Sequence, residues 1–277
     1  MSVVEQQWRR FVDAVDNGIV EFMEHEKPNK LNEGKLFTST EEMMALIVGY
    51  LAFVVLGSAF MKAFVDKPFE LKFLKLVHNI FLTGLSMYMA TECARQAYLG
   101  GYKLFGNPME KGTESHAPGM ANIIYIFYVS KFLEFLDTVF MILGKKWKQL
   151  SFLHVYHHAS ISFIWGIIAR FAPGGDAYFS TILNSSVHVV LYGYYASTTL
   201  GYTFMRPLRP YITTIQLTQF MAMVVQSVYD YYNPCDYPQP LVKLLFWYML
   251  TMLGLFGNFF VQQYLKPKAP KKQKTIS

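Results

Sequence analysis

Seven long apolar stretches set what this chain can fold into, at about 43–62, 73–98, 120–142, 151–170, 177–200, 211–232 and 241–265. A helix needs roughly 20 such residues to cross the hydrocarbon core of a bilayer. Inside lipid each backbone N–H and C=O must be satisfied within the chain, so stretches of this length specify helices. Short polar turns separate them, among them GKKWKQ, APGGD and NPCDYPQP. Hydrophobic residues make up 53% of the 277 and charged ones only 16%, too few charges for a soluble chain of this length. The sequence therefore reads as an all-α polytopic membrane protein with seven transmembrane helices. A polar segment precedes them at 1–41, the seven-helix domain covers 42–265, and a basic tail follows at 266–277. No internal repeat and no cleavable signal peptide is evident, so the first apolar stretch is expected to direct insertion.

Orientation follows from the distribution of Lys and Arg around the stretches. Fourteen fall on one side, at Lys62, Lys67, Lys72, Lys75, Lys145, Lys146, Lys148, Arg206, Arg209, Lys266, Lys268, Lys271, Lys272 and Lys274. That side is expected to be cytosolic, with the C-terminus on it and the N-terminus across the membrane. The net charge of +6 sits in these loops and the tail, which suits membrane topology and argues against a nucleic-acid partner. Trp8, Phe11, Val15, Ile19 and Phe22 recur at three- and four-residue steps. They suggest an amphipathic helix lying on the membrane; a loosely ordered terminus is the alternative. The two cysteines, Cys93 and Cys235, fall on the non-cytosolic side, where a disulfide can form. Two unpaired thiols are the other reading.

Polar residues interrupt four consecutive apolar stretches at helical spacing. Lys131, Glu134, Asp137 and Thr138 lie on the third, and His154, His157 and His158 on the fourth. Asn184, His188, Tyr192, Tyr194 and Tyr195 lie on the fifth, and Thr213, Gln216 and Gln219 on the sixth. One polar stripe is ordinary interhelical glue. Four together imply an enclosed polar cavity, and ionisable groups in such a place point to function. Two chemistries compete for the histidines. They are either metal ligands, as in membrane di-iron desaturases and hydroxylases, or a neutral nucleophile or general base. Seven His in the chain, two of them in polar regions, leave few ligands for two irons, so no metal is expected. No G-x-x-x-x-G-K or G-x-G-x-x-G loop is present for a nucleotide cofactor. A transporter is a reading from a different class. It predicts polar stripes reaching both faces and an inverted repeat, whereas the stripes here cluster in one half of the membrane.

Four motifs now resemble those of one family. KFLEFLDT at 131–138 is similar to the KxxExxDT motif of the fatty-acid elongase (ELO) family, and HVYHH at 154–158 to its HxxHH box. NSSVHVVLYGYY at 184–195 resembles its NxxxHxxMYxYY motif, with Leu191 where Met is usual. TTIQLTQ at 213–219 resembles TxxQxxQ, and the four stand in the family's order. The resemblance implies a multi-pass endoplasmic-reticulum enzyme, a 3-ketoacyl-CoA synthase. It condenses a long-chain acyl-CoA with malonyl-CoA, releasing CO2 and CoA, the first step of two-carbon elongation. It implies six helices in an inverted barrel around an acyl tunnel, with no cofactor beyond the two co-substrates. The position matching His157 would carry the acyl group as an acyl-imidazole. Its neighbours His154 and His158 would set the tautomer, while His188 and Asn184 would hold the malonyl carbonyl. Lys131, Glu134, Asp137 and Thr138 are expected either at the substrate or in a buried ion network. Tyr192, Tyr195, Gln216 and Gln219 are expected to line the tunnel. Lys145, Lys146, Arg206 and Arg209 either grip CoA phosphates or serve only as the topology signal. The ketoacyl reductase, dehydratase and enoyl reductase of the elongation cycle, and a second copy of the chain, are the implied partners.

The segment around HVYHH resembles the polyunsaturated-acid elongases of the family. Val155, followed by Ala159, Ser160, Ile161 and Ser162, is expected to widen the tunnel beyond the reactive imidazole. That width suits a bent 18-carbon polyunsaturated chain, such as a Δ6 acid.

Overall fold

Ser2 and Glu5 start the first helix with a reciprocal cap. The Ser2 hydroxyl accepts from the Glu5 N–H at 3.2 Å, and the Glu5 carboxylate accepts from the Ser2 N–H at 2.9 Å. The helix they open, α1 (Val3–Phe22), is the first of nine α-helices among the described residues of this computed structural model. Those residues are 2–110, 112 and 116–266; the rest of the basic tail, 267–277, lies outside them. The order continues with α2 (Thr40–Ala63), α3 (Lys72–Leu99), α4 (Ala117–Leu133), α5 (Phe135–Leu143) and α6 (Phe152–Phe171). Then come α7 (Ala177–Leu200), α8 (Arg209–Tyr232) and α9 (Gln239–Phe260). Ser39 and Ser151 cap α2 and α6 by accepting from the N–H three residues on. Pro118, Pro210 and Pro240 occupy first turns, where the missing N–H costs nothing.

The expected third stretch is not one helix. It breaks at Glu134, where the Asp137 N–H bonds the Glu134 carbonyl at 3.1 Å in a tightened turn. Lys131 and His188 both meet the Glu134 carboxylate. The three-residue bond tightens the chain at the position whose side chain carries this network. The N-terminal segment is also less separate than its polarity suggests. Ile19 and Met23 are buried in the main core with Met43, Cys93 and Trp165. Asn32 donates to the carbonyls of Ala121 and Ala169, at 3.4 and 2.8 Å. Val12, rather than Phe11, faces inward from α1. Asp16 on α1 pairs with Arg170 at 2.6 Å and accepts from Thr40. Burial opposes its ionisation, but the Thr40 and Arg170 bonds outweigh that and hold its pKa below the usual carboxylate range.

The bundle has two distinct ends. At the basic end the α2–α3 loop meets the α5–α6 turn, with the Phe69 N–H on the Leu143 carbonyl and Lys145 on the Val65 carbonyl. At the opposite, acid end the loops before α4, α7 and α9 are sewn together around Asp176. Gly175 permits this closeness: its φ is +51°, and a Cβ there would come within 2.9 Å of the Asn107 carbonyl oxygen. Gly166 does the same for α6 against α2, since a Cβ would meet the Met43 sulfur at 2.2 Å.

The outside of the bundle is apolar. Val55, Leu56, Phe60, Phe73, Phe81, Met87 and Trp247 are all exposed, as expected of helices that face lipid. Among the described residues two helices, Thr40–Ala63 and Gln239–Leu265, are long and apolar enough on composition alone to cross a membrane. The chain is a helical membrane protein.

Both cysteines are free thiols, which corrects the expected bond between them. The Cys93 sulfur packs against the Met120 sulfur and the Tyr178 carbonyl, at 3.9 and 3.7 Å. The Cys235 sulfur lies 3.6 Å from the Asn107 carbonyl. Burial, then the nearby carboxylates of Asp176 and Asp230, push the Cys235 thiol up and suppress the reactive thiolate.

Candidate active site

Ser151 caps α6 one residue before its first turn, so the HVYHH run falls within the first two turns at the basic end. The spacing then fans the three imidazoles over one side of the helix. His154 Nε2 lies 2.7 Å from the Thr138 hydroxyl, which is 3.1 Å from the Tyr50 hydroxyl. The His154 and His158 rings stand 4.3 Å apart, and the His158 Nδ1 is buried without a partner. His157 stands at the edge of this fan, half-buried on a cavity wall, with its Nδ1 3.5 Å from the Tyr248 hydroxyl.

The charges of α4 and α5 form two sets of polar contacts, which meet where the His188 and Tyr192 rings stand 5.5 Å apart. Lys131 Nζ, 1% exposed, donates to Glu134 at 2.7 Å and to Asn184 at 3.0 Å, and lies over the Phe127 ring. His188 Nδ1 is 3.4 Å from the same Glu134 oxygen. Asp137 accepts from the Tyr192 hydroxyl at 2.8 Å, and His78 Nε2 lies 3.2 Å from its other oxygen. His78 also stands edge-on to Phe140 and Tyr192. Desolvating charges this deeply is costly, and each is met by an opposite charge or a hydrogen-bonding side chain. Among the described residues no three His, Cys, Asp or Glu side chains gather as a metal site.

His157 lines a cavity of about 60 Å³ between α6, α7, α8 and α9. Asn184 and Gln219 line it near His157, and the buried Gln219 Oε1 has no partner. Its walls are Ile161, Trp165, Phe220, Met223, Met249 and Met252. Along α6 it runs from His157 to Ile168, eleven residues or roughly 16 Å at helical rise. Its floor is polar: Asp176, Gln226, Asp230 and Tyr237. This corrects the expectation that polar groups keep to one half of the bundle. Gln226 and Asp230 stand four residues apart on α8, while Asp176 and Tyr237 come from the loops before α7 and α9.

The structure thus brings together His154, His157, His158, Asn184, His188, Tyr192, Lys131, Glu134, Asp137, Thr138 and Gln219. Others stand apart. Gln216 is half-buried and absent from the cavity wall, and Tyr195 is 40% exposed. Lys145 is committed to the carbonyls of Val65 and Asp66, while Arg206 and Arg209 are exposed at the basic end. Lys146 shares that end, beside the Gly144 turn. The expected widening by small residues is not there. Val155, Ala159 and Ser160 line a separate shallow groove on the outer side of α6, facing Met44, Ile47 and Leu51 of α2. The Ser162 hydroxyl donates back to the His158 carbonyl, and Ile161 alone of the five lines the cavity. The reason is helical geometry: consecutive residues spread around the whole circumference. Sequence reasoning gave no role to Tyr50 and Tyr248, which sit in plain apolar runs, or to His78, which has no motif around it.

These features define a class, a helical membrane enzyme whose buried polar site heads an apolar cavity. Residues 35–272 match the ELO (GNS1/SUR4) family. The chain is 35% identical over 228 residues to the very long chain fatty acid elongase 4 of Homo sapiens, covering 82% of this chain and 72% of that one. It is 38% identical over 229 residues to fatty acid elongase 6 of Leishmania major, covering 79% of this chain and 59% of that one. With the very long chain fatty acid elongase 5 of Bos taurus it shares 35% over 227 residues, covering 81% and 74%. The chain belongs to the ELO family of fatty-acid elongases. Its activity is that of a very-long-chain 3-oxoacyl-CoA synthase, acting on acyl-CoA and malonyl-CoA.

Proposed function

We propose that the chain elongates an 18-carbon polyunsaturated acyl-CoA through an acyl-imidazole on His157. One observation carries the reading: among the three box histidines, His157 is the one whose ring lines the apolar cavity. Its nitrogen attacks the thioester carbonyl, the C–S bond breaks, and CoA leaves as a thiolate that takes a proton from solvent. The acyl chain then lies down the cavity. Malonyl-CoA enters second and loses CO2, and its enolate carbon attacks the acyl carbonyl. The C–N bond breaks, releasing 3-ketoacyl-CoA and restoring the imidazole. Asn184 and His188 hold the malonyl thioester oxygen as the enolate forms, a contribution of about 3 kcal/mol per donor where such donors are preorganised. Lys131 and Glu134 fix both residues from behind.

The cavity lining supports a bent chain. Met223, Met249 and Met252 are flexible, polarizable side chains that adapt to an irregular shape and sit well against π-systems. In the membrane, seven helical spans would place the N-terminus in the lumen of the endoplasmic reticulum and the basic end in the cytosol. Six of the spans would form the inverted barrel around the cavity. Arg206, Arg209 and Lys146 at the cytosolic rim would meet the CoA phosphates. The reductases and dehydratase of the cycle, or a second copy, would dock from that side. No cofactor is invoked.

The test is purified protein with labelled malonyl-CoA and acyl-CoAs of equal length but different unsaturation. CO2 release dependent on acyl-CoA is expected, fastest with the polyunsaturated chain. Omitting malonyl-CoA should leave an acyl adduct that peptide mass spectrometry places on His157. An adduct elsewhere, or none, overturns the acyl-imidazole. A preference for the saturated chain overturns the substrate alone.

A further inference from the structure

His157 can act as a nucleophile at Nε2 only if its proton sits on Nδ1, and nothing in the HxxHH box decides that. The neighbours of Nδ1 do. The Tyr248 hydroxyl on α9 stands 3.5 Å from it, and the same hydroxyl is 3.0 Å from the Ser160 hydroxyl. Ser160 in turn donates to the Tyr156 carbonyl at 2.6 Å, with the His157 carbonyl at 3.3 Å on the same side.

The direction of this chain is fixed from its far end. A carbonyl oxygen only accepts, so the Ser160 proton is spent on Tyr156. Ser160 can then only accept from Tyr248, and Tyr248, its one proton spent, can only accept from His157. We propose that Tyr248, anchored by Ser160, is the positioning residue that holds the His157 proton on Nδ1 and leaves the Nε2 lone pair free for the acyl group. A buried group that orients an imidazole through its other nitrogen is a familiar need of histidine chemistry. Here it is met by a neutral phenol, where many sites use a carboxylate. The difference has a consequence. When Nε2 is acylated the ring becomes a cation, and a phenol oxygen stabilises the Nδ1–H without removing it. The acyl group therefore stays on an imidazolium, a better leaving group for the attacking enolate than a neutral acyl-imidazole would offer. The 3.5 Å separation is long for a resting contact, and such contacts tighten in the reacting complex.

The charged groups of the site do not compete for this nitrogen. Lys131 and Glu134 are joined to each other, to Asn184 and to His188, while Asp137 is joined to His78 and to Tyr192. Tyr248 is buried, and loss of its hydroxyl alone leaves the ring packed against the cavity wall.

The inference rests on His157 being the acylated residue, and the experiment separates the two. Acylation is followed by rapid quenching and intact mass with acyl-CoA but no malonyl-CoA, alongside steady-state KM. Tyr248→Phe is expected to acylate about 10- to 100-fold more slowly, with KM for acyl-CoA and the melting temperature little changed. Ser160→Ala frees the Tyr248 proton to point back at Nδ1, inverting the tautomer, so it should slow acylation to a similar degree. Ser160→Thr keeps the hydroxyl and should restore most of the rate. The double variant Tyr248→Phe/Ser160→Ala should be no slower than Tyr248→Phe, because both changes cut one chain. Wild-type acylation rates in Tyr248→Phe, or fully multiplied losses in the double variant, overturn the proposal while His157 keeps its adduct. If Tyr248→Phe fails to fold, the Ser160 pair decides: equal rates in the Ala and Thr variants overturn it. A wild-type protein without a His157 adduct removes the nucleophile and this proposal with it.

Discussion

At the acid end Asp176 accepts from the backbone N–H groups of Gly106 and Asn107, at 3.0 and 2.9 Å, and from the Asn107 side chain at 2.8 Å. Asp230 shares the Gly106 N–H at 3.2 Å. In the histidine layer Glu134 and Asp137 instead meet side chains: Lys131, His188, His78 and Tyr192. Both layers bury carboxylates in a membrane bundle, and both must answer the same desolvation cost. The acid end answers it largely with amide N–H groups, from the backbone and from Asn107, which tie its loops together. The histidine layer answers it with groups that can gain, lose or redirect a proton, and leaves the His158 Nδ1 open. Fixed partners make a seal, and adjustable partners make a reaction centre.

The largest expected effect that would break this contrast is chemical. His157→Ala should lower condensation by at least about a thousandfold, roughly 4 kcal/mol in barrier, with little change in thermal stability. Acyl-dependent release of labelled CO2, measured beside a melting curve in detergent, checks it. Next comes Lys131→Met, which leaves Glu134 buried without its cation. It should cost about 3–5 kcal/mol of stability, and adding Glu134→Gln should recover much of that. Equal stability of the single and double variants would mean that the ion pair does not hold the layer.

The acid end should respond more mildly and without touching chemistry. Asn107→Ala removes the bonds to Lys103 and Asp176 and should cost about 1–3 kcal/mol, with turnover at a permissive temperature near that of the wild type. A loss of turnover larger than the loss of folded protein would join the two layers functionally. Smallest of all, Cys235→Ser should shift stability by less than about 0.5 kcal/mol. Protein unfolded without reductant should alkylate at both Cys93 and Cys235; a mass showing neither modified would restore the disulfide.

Much of the histidine layer was legible because its residues recur at three- and four-residue steps on helices. HVYHH, KFLEFLDT and NSSVHVVLYGYY carry that spacing openly, and the structure joins most of their polar side chains. The acid end was not legible. Asn107 and Asp176 stand in loops before α4 and α7, Gln226 and Asp230 lie near the end of α8, and only the packing of these elements makes them one cluster. The widening assigned to Ala159, Ser160 and Ser162 failed for a related reason: sequence adjacency says nothing about which side of a helix meets the cavity.

By itself the sequence determined that the chain is helical, that it belongs in a membrane, and which residues can do chemistry. Apolar stretch length and helical periodicity are local properties and need no fold to be read. Only the tertiary structure decided the rest. It broke the third stretch at Glu134, because the carboxylate turns toward Lys131 and His188. It kept Cys93 and Cys235 as separate thiols, and it set His157 rather than His154 or His158 on the cavity wall. It placed Tyr248 of α9, ninety-one residues away, at the His157 Nδ1. Each of these depends on which helix faces which, and that is fixed by side-chain packing between elements far apart in the chain.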